Sequence, residues 1–172
     1  MTAPEEENET ADERVLLEAY RLAEQNLQSQ LDIALAADQR AATFCGLVVA
    51  ALAALVGLSD GGYENWFISA SIMFFALSAV LSARAFMPVD FFVRGLPFDN
   101  FAEDINNKRN FSEVIGELAG HYDDCLAKNA DRIKSNANLF RTALFCSLGG
   151  IVLLTIPTVL EPIMTALTEK NA

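Results

Sequence analysis

The chain has little of what catalytic and metal sites need, with one histidine and three cysteines among 172 residues. No cluster of histidine, cysteine and carboxylate side chains has metal-ligand spacing, and the cysteines form no disulfide framework. Basic residues are also few, with 12 Lys and Arg against 23 Asp and Glu and a net charge of −11. Because nucleic-acid binding requires a basic surface that displaces counterions, this balance argues against nucleic acid as a partner.

Charge is missing altogether from three stretches of the chain. They are residues 41–58, 66–83 and 142–160, each 18 or 19 residues long. A helix rises about 1.5 Å per residue, so each stretch would reach roughly 27–29 Å, close to the ~30 Å hydrocarbon core of a bilayer. One such stretch could be a buried helix of a soluble protein. Three of them predict three transmembrane spans.

The basic residues predict the orientation of these spans. Eleven of the twelve precede the first span or lie between the second and third, and only Lys170 follows the third. Since cytoplasmic loops carry the excess of Lys and Arg, the N-terminus and residues 84–141 are expected in the cytoplasm. The loop at 59–65 and the C-terminus are then outside. We therefore expect a multi-pass protein of an inner (cytoplasmic) membrane, with the lipid bilayer as its first partner.

Apolar residues also recur at helical spacing outside the spans. They follow steps of three and four from Leu16 to Ala34, and again from Ile115 to Phe140 with a gap near Asn129. The first and third spans are therefore predicted to be continuous with long cytoplasmic helices. Their apolar stripes favour packing on each other as a coiled coil, or on copies from other subunits of a homo-oligomer.

The expected fold is thus an all-α integral membrane protein with three transmembrane helices. Residues 1–10 are acidic and are expected to form a disordered tail. Residues 11–172 are expected to form a single helical membrane domain, with 84–141 as its cytoplasmic segment. Within that segment, residues 110–113 (Asn-Phe-Ser-Glu) predict a capping box at the start of a helix.

Small and hydroxyl-bearing residues mark two of the spans. The first span carries a ridge of small residues at four-residue spacing, which lets helix backbones approach closely and predicts helix packing and oligomer formation. The ridge consists of Ala42, Gly46, Ala50 and Ala54. The second span carries a partial polar stripe, interpreted either as interhelical hydrogen bonding or as one wall of a wet pore. The stripe consists of Ser71, Ser78 and Ser82.

The segment that follows the second span has the most distinctive local sequence. Pro88, Gly95 and Pro97 preclude a long helix, and five phenylalanines lie within residues 88–111. One interpretation is a packing strap that covers the apolar faces of the two long helices. The other is a pocket for a ligand or a protein partner. The residues proposed for that pocket are Asp90, Phe91, Phe92 and Arg94.

Nothing in the sequence favours catalysis. His121 stands beside two aspartates, but no nucleophile or metal set accompanies it, and no glycine-rich phosphate loop occurs. The spans contain no ionisable residue of the kind that proton-coupled transporters use. We therefore expect neither an enzyme nor a cofactor.

The entry to the first span carries a resemblance to a known group. Residues 37–41 (Ala-Asp-Gln-Arg-Ala) resemble the Ala-Asp-x-Lys/Arg-Ala step that precedes a small-residue span in uncharacterised bacterial three-span membrane proteins. Residues 88–92 (Pro-Val-Asp-Phe-Phe), with the Gly95 and Pro97 that follow them, are similar to the same group. In architecture, long cytoplasmic helices feeding a few spans resemble the SLATT-type and Pycsar-type membrane effectors of bacterial defence. The resemblance implies an oligomeric membrane effector that an upstream nucleotide or protein signal opens or clusters.

Two functional hypotheses follow. The leading one is a non-enzymatic, oligomeric, multi-pass membrane protein of effector or channel type. The alternative is a structural or accessory subunit that docks onto another membrane complex through its cytoplasmic stalk, the helical part outside the spans. A protein partner at this stalk belongs to the second hypothesis, whereas self-association belongs to the first.

Overall fold

The structure is a computed structural model that describes residues 5–58, 66–95, 104 and 106–169. Three long helices dominate it. They are α1 (Glu5–Leu58), α2 (Trp66–Ala85) and α3 (Phe111–Glu169). Each helix contains a segment long and apolar enough to cross a membrane. The all-helical class and the three helices of membrane-spanning length are therefore confirmed for the described part of the chain.

Some predicted features lie partly or wholly outside the described residues. Residues 1–4 of the predicted acidic tail and the predicted outer loop at 59–65 lie outside the described residues, whereas residues 5–10 are part of α1. Pro97, the second proline of the strap region, also lies outside them. By compactness the chain divides into two units. The first combines the chain up to Leu35 with Val89–Lys134, and the second combines Ala36–Pro88 with the chain from Ser135 onward.

The start of α3 shows why the helix begins where it does. The Ser112 backbone N–H donates to the Asn110 side-chain Oδ1 at 3.2 Å, so the predicted asparagine cap is confirmed. Glu113, predicted to return to the cap backbone, instead forms an ion pair with Arg109 at 2.8 Å. Arg109 also contacts Glu117 at 2.6 Å and Asp104 at 3.0 Å. These carboxylates raise the pKa of Arg109, so the guanidinium stays charged.

In the first unit the apolar stripes of α1 and α3 meet. Ala23 and Leu27 of α1 are buried against Tyr122 and Cys125 of α3. Phe92, from the segment between α2 and α3, is among the partly buried side chains that pack against this cluster. The spacing of apolar residues along both helices therefore corresponds to a real contact face.

In the second unit the usual order of burial is inverted. The buried residues of α2 are mostly small and include three serines. They are Ser71, Phe75, Ser78, Ser82 and Ala85. Large apolar side chains point outward instead, such as Met73 with 71% of its surface exposed and Leu47 with 66%. Such a surface suits an apolar solvent, and the three apolar helices suggest a membrane location.

Two glycines of α3 allow α2 to pack closely in this unit. A Cβ atom added at Gly150 would lie 3.0 Å from the ring of Phe75, and one at Gly149 would lie 3.1 Å from the ring of Phe74. Both distances are tighter than ordinary van der Waals contact. The pair Gly149–Gly150, adjacent in sequence, therefore provides the surface on which the two phenylalanine rings of α2 rest.

The ion-pair cluster at the start of α3 yields a pH-dependent prediction. Arg109 lowers the pKa of Glu117 from its ordinary value of 4.5, so the stabilisation is present above that value and is lost as the pH falls through the lowered pKa. In the Arg109→Gln variant, amide hydrogen exchange in the first turns of α3 should be faster than in the wild type at pH 7. The difference should be smaller at about pH 3, because the ion pair with Glu117 weakens as the pH falls through its lowered pKa.

The matched control is Arg21→Gln, which removes an exposed pair with Glu18 on α1. It should leave exchange at the start of α3 unchanged at both pH values. A difference between Arg109→Gln and the wild type that persists unchanged at about pH 3 would contradict the electrostatic origin.

Candidate functional site

Residues 89–95, called the strap, lie against α3 in the first unit. The side-chain amide of Asn129 is fully buried and makes two hydrogen bonds to one strap residue. The Phe92 backbone N–H donates to Asn129 Oδ1 at 3.0 Å, and Asn129 Nδ2 donates to the Phe92 carbonyl oxygen at 2.9 Å. The amide thereby replaces the partner that a neighbouring strand would give to an extended backbone.

A second attachment holds the end of the strap. The Gly95 backbone N–H donates to the hydroxyl oxygen of Tyr122 at 3.1 Å, and Gly95 adopts a φ of 88°, which favours glycine. The Tyr122 hydroxyl donates to Glu24 Oε1 at 3.4 Å, and the Tyr20 hydroxyl donates to the same oxygen at 2.8 Å. Burial, followed by hydrogen bonds to Tyr122 and Glu24, raises the pKa of Tyr20, so its hydroxyl remains a donor.

The Phe92 ring is a third point of attachment. The Nζ atom of Lys128 lies 5.5 Å from the ring centroid and the guanidinium carbon of Arg132 lies 5.4 Å from it. Cation–π contacts of this kind stabilise by about 0.5–2 kcal/mol, depending on exposure. The strap is therefore held through its backbone at two residues and through one aromatic ring.

The four residues proposed for a ligand pocket separate into two pairs. Asp90 and Arg94 are exposed, whereas Phe91 and Phe92 are partly buried. Phe92 packs on the core of the first unit. The structure thus places the aromatic side chains of the strap inward and its charges outward, an arrangement that favours the packing interpretation.

His121 has a neighbour that the sequence analysis did not single out. Its Nε2 atom lies 3.5 Å from Cys125 Sγ, one helical turn along α3. Cysteine beside histidine can form a nucleophile pair, but a reactive thiol needs a lowered pKa. Burial raises the pKa of Cys125. Lys128 lowers this pKa and Asp124 raises it, each by less than burial does. The Cys125 thiol therefore stays protonated and has a structural role.

The predicted serine stripe lies inside the second unit. The Ser78 hydroxyl donates to the Ala143 carbonyl of α3 at 2.7 Å, which joins two helices. Ser71 donates to the Phe67 carbonyl at 2.8 Å, and Ser82 to the Ser78 carbonyl at 2.9 Å. All three serines are fully buried within this one chain. This placement favours interhelical and local hydrogen bonding over the lining of an open pore.

The predicted small-residue ridge is exposed, unlike the buried serine stripe. Ala42, Gly46, Ala50 and Ala54 are all exposed. A Cβ atom added at Gly46 would meet no atom within 4 Å. The ridge therefore faces away from the other helices of its own chain and leaves a shallow surface beside the exposed side chains of Leu47 and Val49.

Sequence reasoning missed the residues that hold the strap. Asn129, Tyr122 and Glu24 were not singled out as a group, because Tyr122 belongs to an apolar stripe like any packed helical residue and Glu24 lies outside the stripe of α1. One signal was present: Asn129 occupies the gap in the apolar stripe of α3. A polar residue at a buried helical position generally has a hydrogen-bonding partner elsewhere.

No protein-family model, curated protein or solved structure matches the chain. The functional proposal therefore depends on the geometry of its own residues.

The Asn129 clamp can be tested by removing its amide. In Asn129→Ala the backbone N–H and carbonyl of Phe92 lose their partners, which costs about 1–3 kcal/mol for buried groups. Hydrogen exchange at Phe92 should therefore accelerate about five- to 150-fold, since 1.4 kcal/mol corresponds to a factor of ten. Asn138→Ala, an exposed asparagine on the same helix, should leave that amide unchanged. Equal exchange in both variants would contradict the clamp.

Proposed function

We propose that this chain is a three-span integral membrane protein of a bacterial inner membrane that assembles into homo-oligomers and acts as a non-enzymatic effector or channel. The observation that carries the proposal is the outward-facing ridge of small residues in the second unit. It lies on a surface of large exposed apolar side chains, while Ser71, Ser78 and Ser82 of the same unit are buried. Each part of this arrangement supports one part of the proposal.

Membrane insertion is supported by the inverted burial in the second unit. In water, a helix would bury Met73 and Val80 and expose its serines, because removing apolar surface from water is favourable. Here Met73 and Val80 are exposed, and Ser71 and Ser78 are buried. Lipid tails remove that preference, and hydroxyls inside a bundle then find partners on neighbouring helices. The apolar outer surface is therefore the one expected of a lipid-facing bundle.

Orientation is supported by three arginines next to the span ends. Arg40 precedes the first span, Arg84 follows the second and Arg141 precedes the third, each by one residue. An N-terminus in the cytoplasm puts all three on the basic side of the membrane, as the positive-inside rule requires. The long helices α1 and α3 then continue from the cytoplasm into the bilayer, and the chain after the third span is outside.

This topology can be tested with an alkaline phosphatase reporter. The reporter needs disulfide bonds, which form outside the reducing cytoplasm. Fusion after Ala172 should be active, and fusion after Lys108, within the proposed cytoplasmic segment, should be inactive. The reverse pattern, or equal activity at both sites, would contradict the proposed orientation.

Oligomer formation is supported by the position of the ridge. Association of helices in lipid depends on close van der Waals packing, for which small residues at four-residue spacing are suited. Since Gly46 and its neighbours on the ridge have no partner helix within the described chain, a second copy can bring the same ridge against them. Isologous packing of this kind needs no further component.

The ridge also predicts the effect of substitution. The double variant Gly46→Leu with Ala50→Leu should hold the backbones apart and weaken self-association about tenfold, corresponding to 1–2 kcal/mol. The measurement is subunit number in mild detergent by light scattering. Val80→Leu, which enlarges an exposed side chain on α2, is the matched control and should associate like the wild type.

Liposomes loaded with dye test the activity of the same variants. Leakage caused by the wild type and lost in the double variant supports an effector or channel. Wild-type protein that stays monomeric in detergent and causes no leakage would contradict the proposal. Because the serines are buried within one chain, a conduction path would lie between copies.

The accessory-subunit hypothesis has one observation in its favour. In the first unit, Val15, Leu22 and Ile33 of α1 are exposed by 68%, 47% and 55%. Their spacings of seven and eleven residues are close to whole numbers of helical turns, so they share one face. A second copy could cover this face, and so could a foreign subunit. Affinity purification from native membrane extract separates them: a stoichiometric foreign complex supports the accessory role.

A further inference from the structure

The second unit contains a cavity of about 200 Å³ between its three helices. Its apolar wall is made of four alanines and one aromatic ring. These residues are Ala37, Ala41, Ala85, Ala137 and Phe140. Its polar lining is provided by Asp38, Arg40 and Asn136. One acidic and one basic residue therefore line a small space whose wall is otherwise mostly apolar.

The two charged residues of the cavity lack partners within the described part of the chain. Asp38 is partly buried, and no ion pair or side-chain hydrogen bond satisfies it there. Arg40 is exposed, lines the same cavity and forms no ion pair with Asp38. Burial raises the pKa of Asp38, in keeping with its partly buried position in the cavity. A group that carries both a cation and an anion would satisfy both residues.

The position of the cavity indicates where such a group would come from. Ala41 begins the first predicted span, Ala85 comes just after the second, and Phe140 comes just before the third. Asp38 precedes Ala41 by three residues, about 4.5 Å along a helix. The headgroup layer of one leaflet is roughly 5–7 Å thick, so the cavity lies at headgroup depth if the proposed insertion holds.

We propose that this cavity binds the headgroup of a zwitterionic phospholipid of the phosphatidylethanolamine type. The ammonium group pairs with the Asp38 carboxylate, and the phosphate accepts hydrogen bonds from Arg40 and the Asn136 amide. The acyl chains leave along the apolar surface of the bundle. A volume of about 200 Å³ equals six or seven waters at ~30 Å³ each, enough for a phosphoethanolamine group. This inference rests on the proposed membrane insertion.

The test is native mass spectrometry of the full chain, delipidated in mild detergent and titrated with phosphatidylethanolamine or phosphatidylglycerol. Wild-type protein should bind phosphatidylethanolamine about tenfold more tightly, because only its headgroup carries an ammonium for Asp38. Asp38→Asn should abolish this preference and Asp38→Glu should restore it. Arg40→Gln should weaken both lipids. Asp32→Asn, an exposed carboxylate on the same helix, is the matched control and should behave like wild type.

Several results would overturn the inference. Equal affinity of wild type for the two lipids, or Asp38→Asn indistinguishable from Asp32→Asn, removes the headgroup site. Displacement of the lipid by millimolar soluble phosphoethanolamine would keep the chemistry but reject the lipid as its source. Membrane insertion is measured separately, by carbonate extraction. Protein that carbonate releases from membranes contradicts the proposed function. Inserted protein that shows no lipid preference contradicts the headgroup site alone.

Discussion

The placement of the strap, residues 89–95, depends on one buried amide. An extended segment that leaves water must find partners for its backbone groups, and the strap has no neighbouring strand among the described residues. Asn129 satisfies the N–H and the carbonyl of Phe92 together. Once this pair is fixed, the Phe92 ring lies on the core of the first unit and Gly95 comes within reach of Tyr122. The tyrosine in turn reaches Glu24, so the clamp joins both long helices.

Polar groups of the second unit also have partners inside the protein, and its proposed surroundings are lipid rather than water. The serines of α2 at positions 71, 78 and 82 are buried and bonded to carbonyl oxygens, while large apolar side chains of the unit face outward. In a bilayer the outer surface has no water to avoid, so the packing of helices depends on how closely they approach. Gly149 and Gly150 allow that approach between α2 and α3, where Phe74 and Phe75 rest on them. The burial of large apolar side chains is therefore a poor guide to the contacts that stabilise this unit.

Much of the fold could be predicted because the decisive signals are local. The lack of charge in three stretches predicts the three apolar helices, and Asn110 predicts the start of α3. The role of Glu113 was not predictable, because Arg109 precedes the helix and competes for its carboxylate. The direction of the small-residue ridge was equally hidden. Spacing places Ala42 and Gly46 on one face, but which face meets the neighbouring helices depends on tertiary packing.

The candidate sites are harder to predict because they combine residues distant in sequence. Asp38, Ala85 and Asn136 line one cavity although about fifty residues separate each from the next. The resemblance at residues 37–41 included Asp38 and Arg40, yet a sequence pattern does not show that these charges face the same space.

The two units expose apolar surface for different physical reasons. Val15, Leu22 and Ile33 belong to the proposed cytoplasmic part, where each exposed Å² of apolar surface costs about 25 cal/mol in water. Covering that face with another protein surface therefore favours association. In the proposed bilayer, the ridge around Gly46 lies among lipid-facing side chains and gains nothing from leaving lipid. Its contribution comes from shape, since only small residues let a second backbone approach. Self-association of this protein would then combine hydrophobic burial of the α1 face, which is not directional, with close packing at the ridge, which depends on shape. A foreign subunit could cover the α1 face more easily than it could match the ridge.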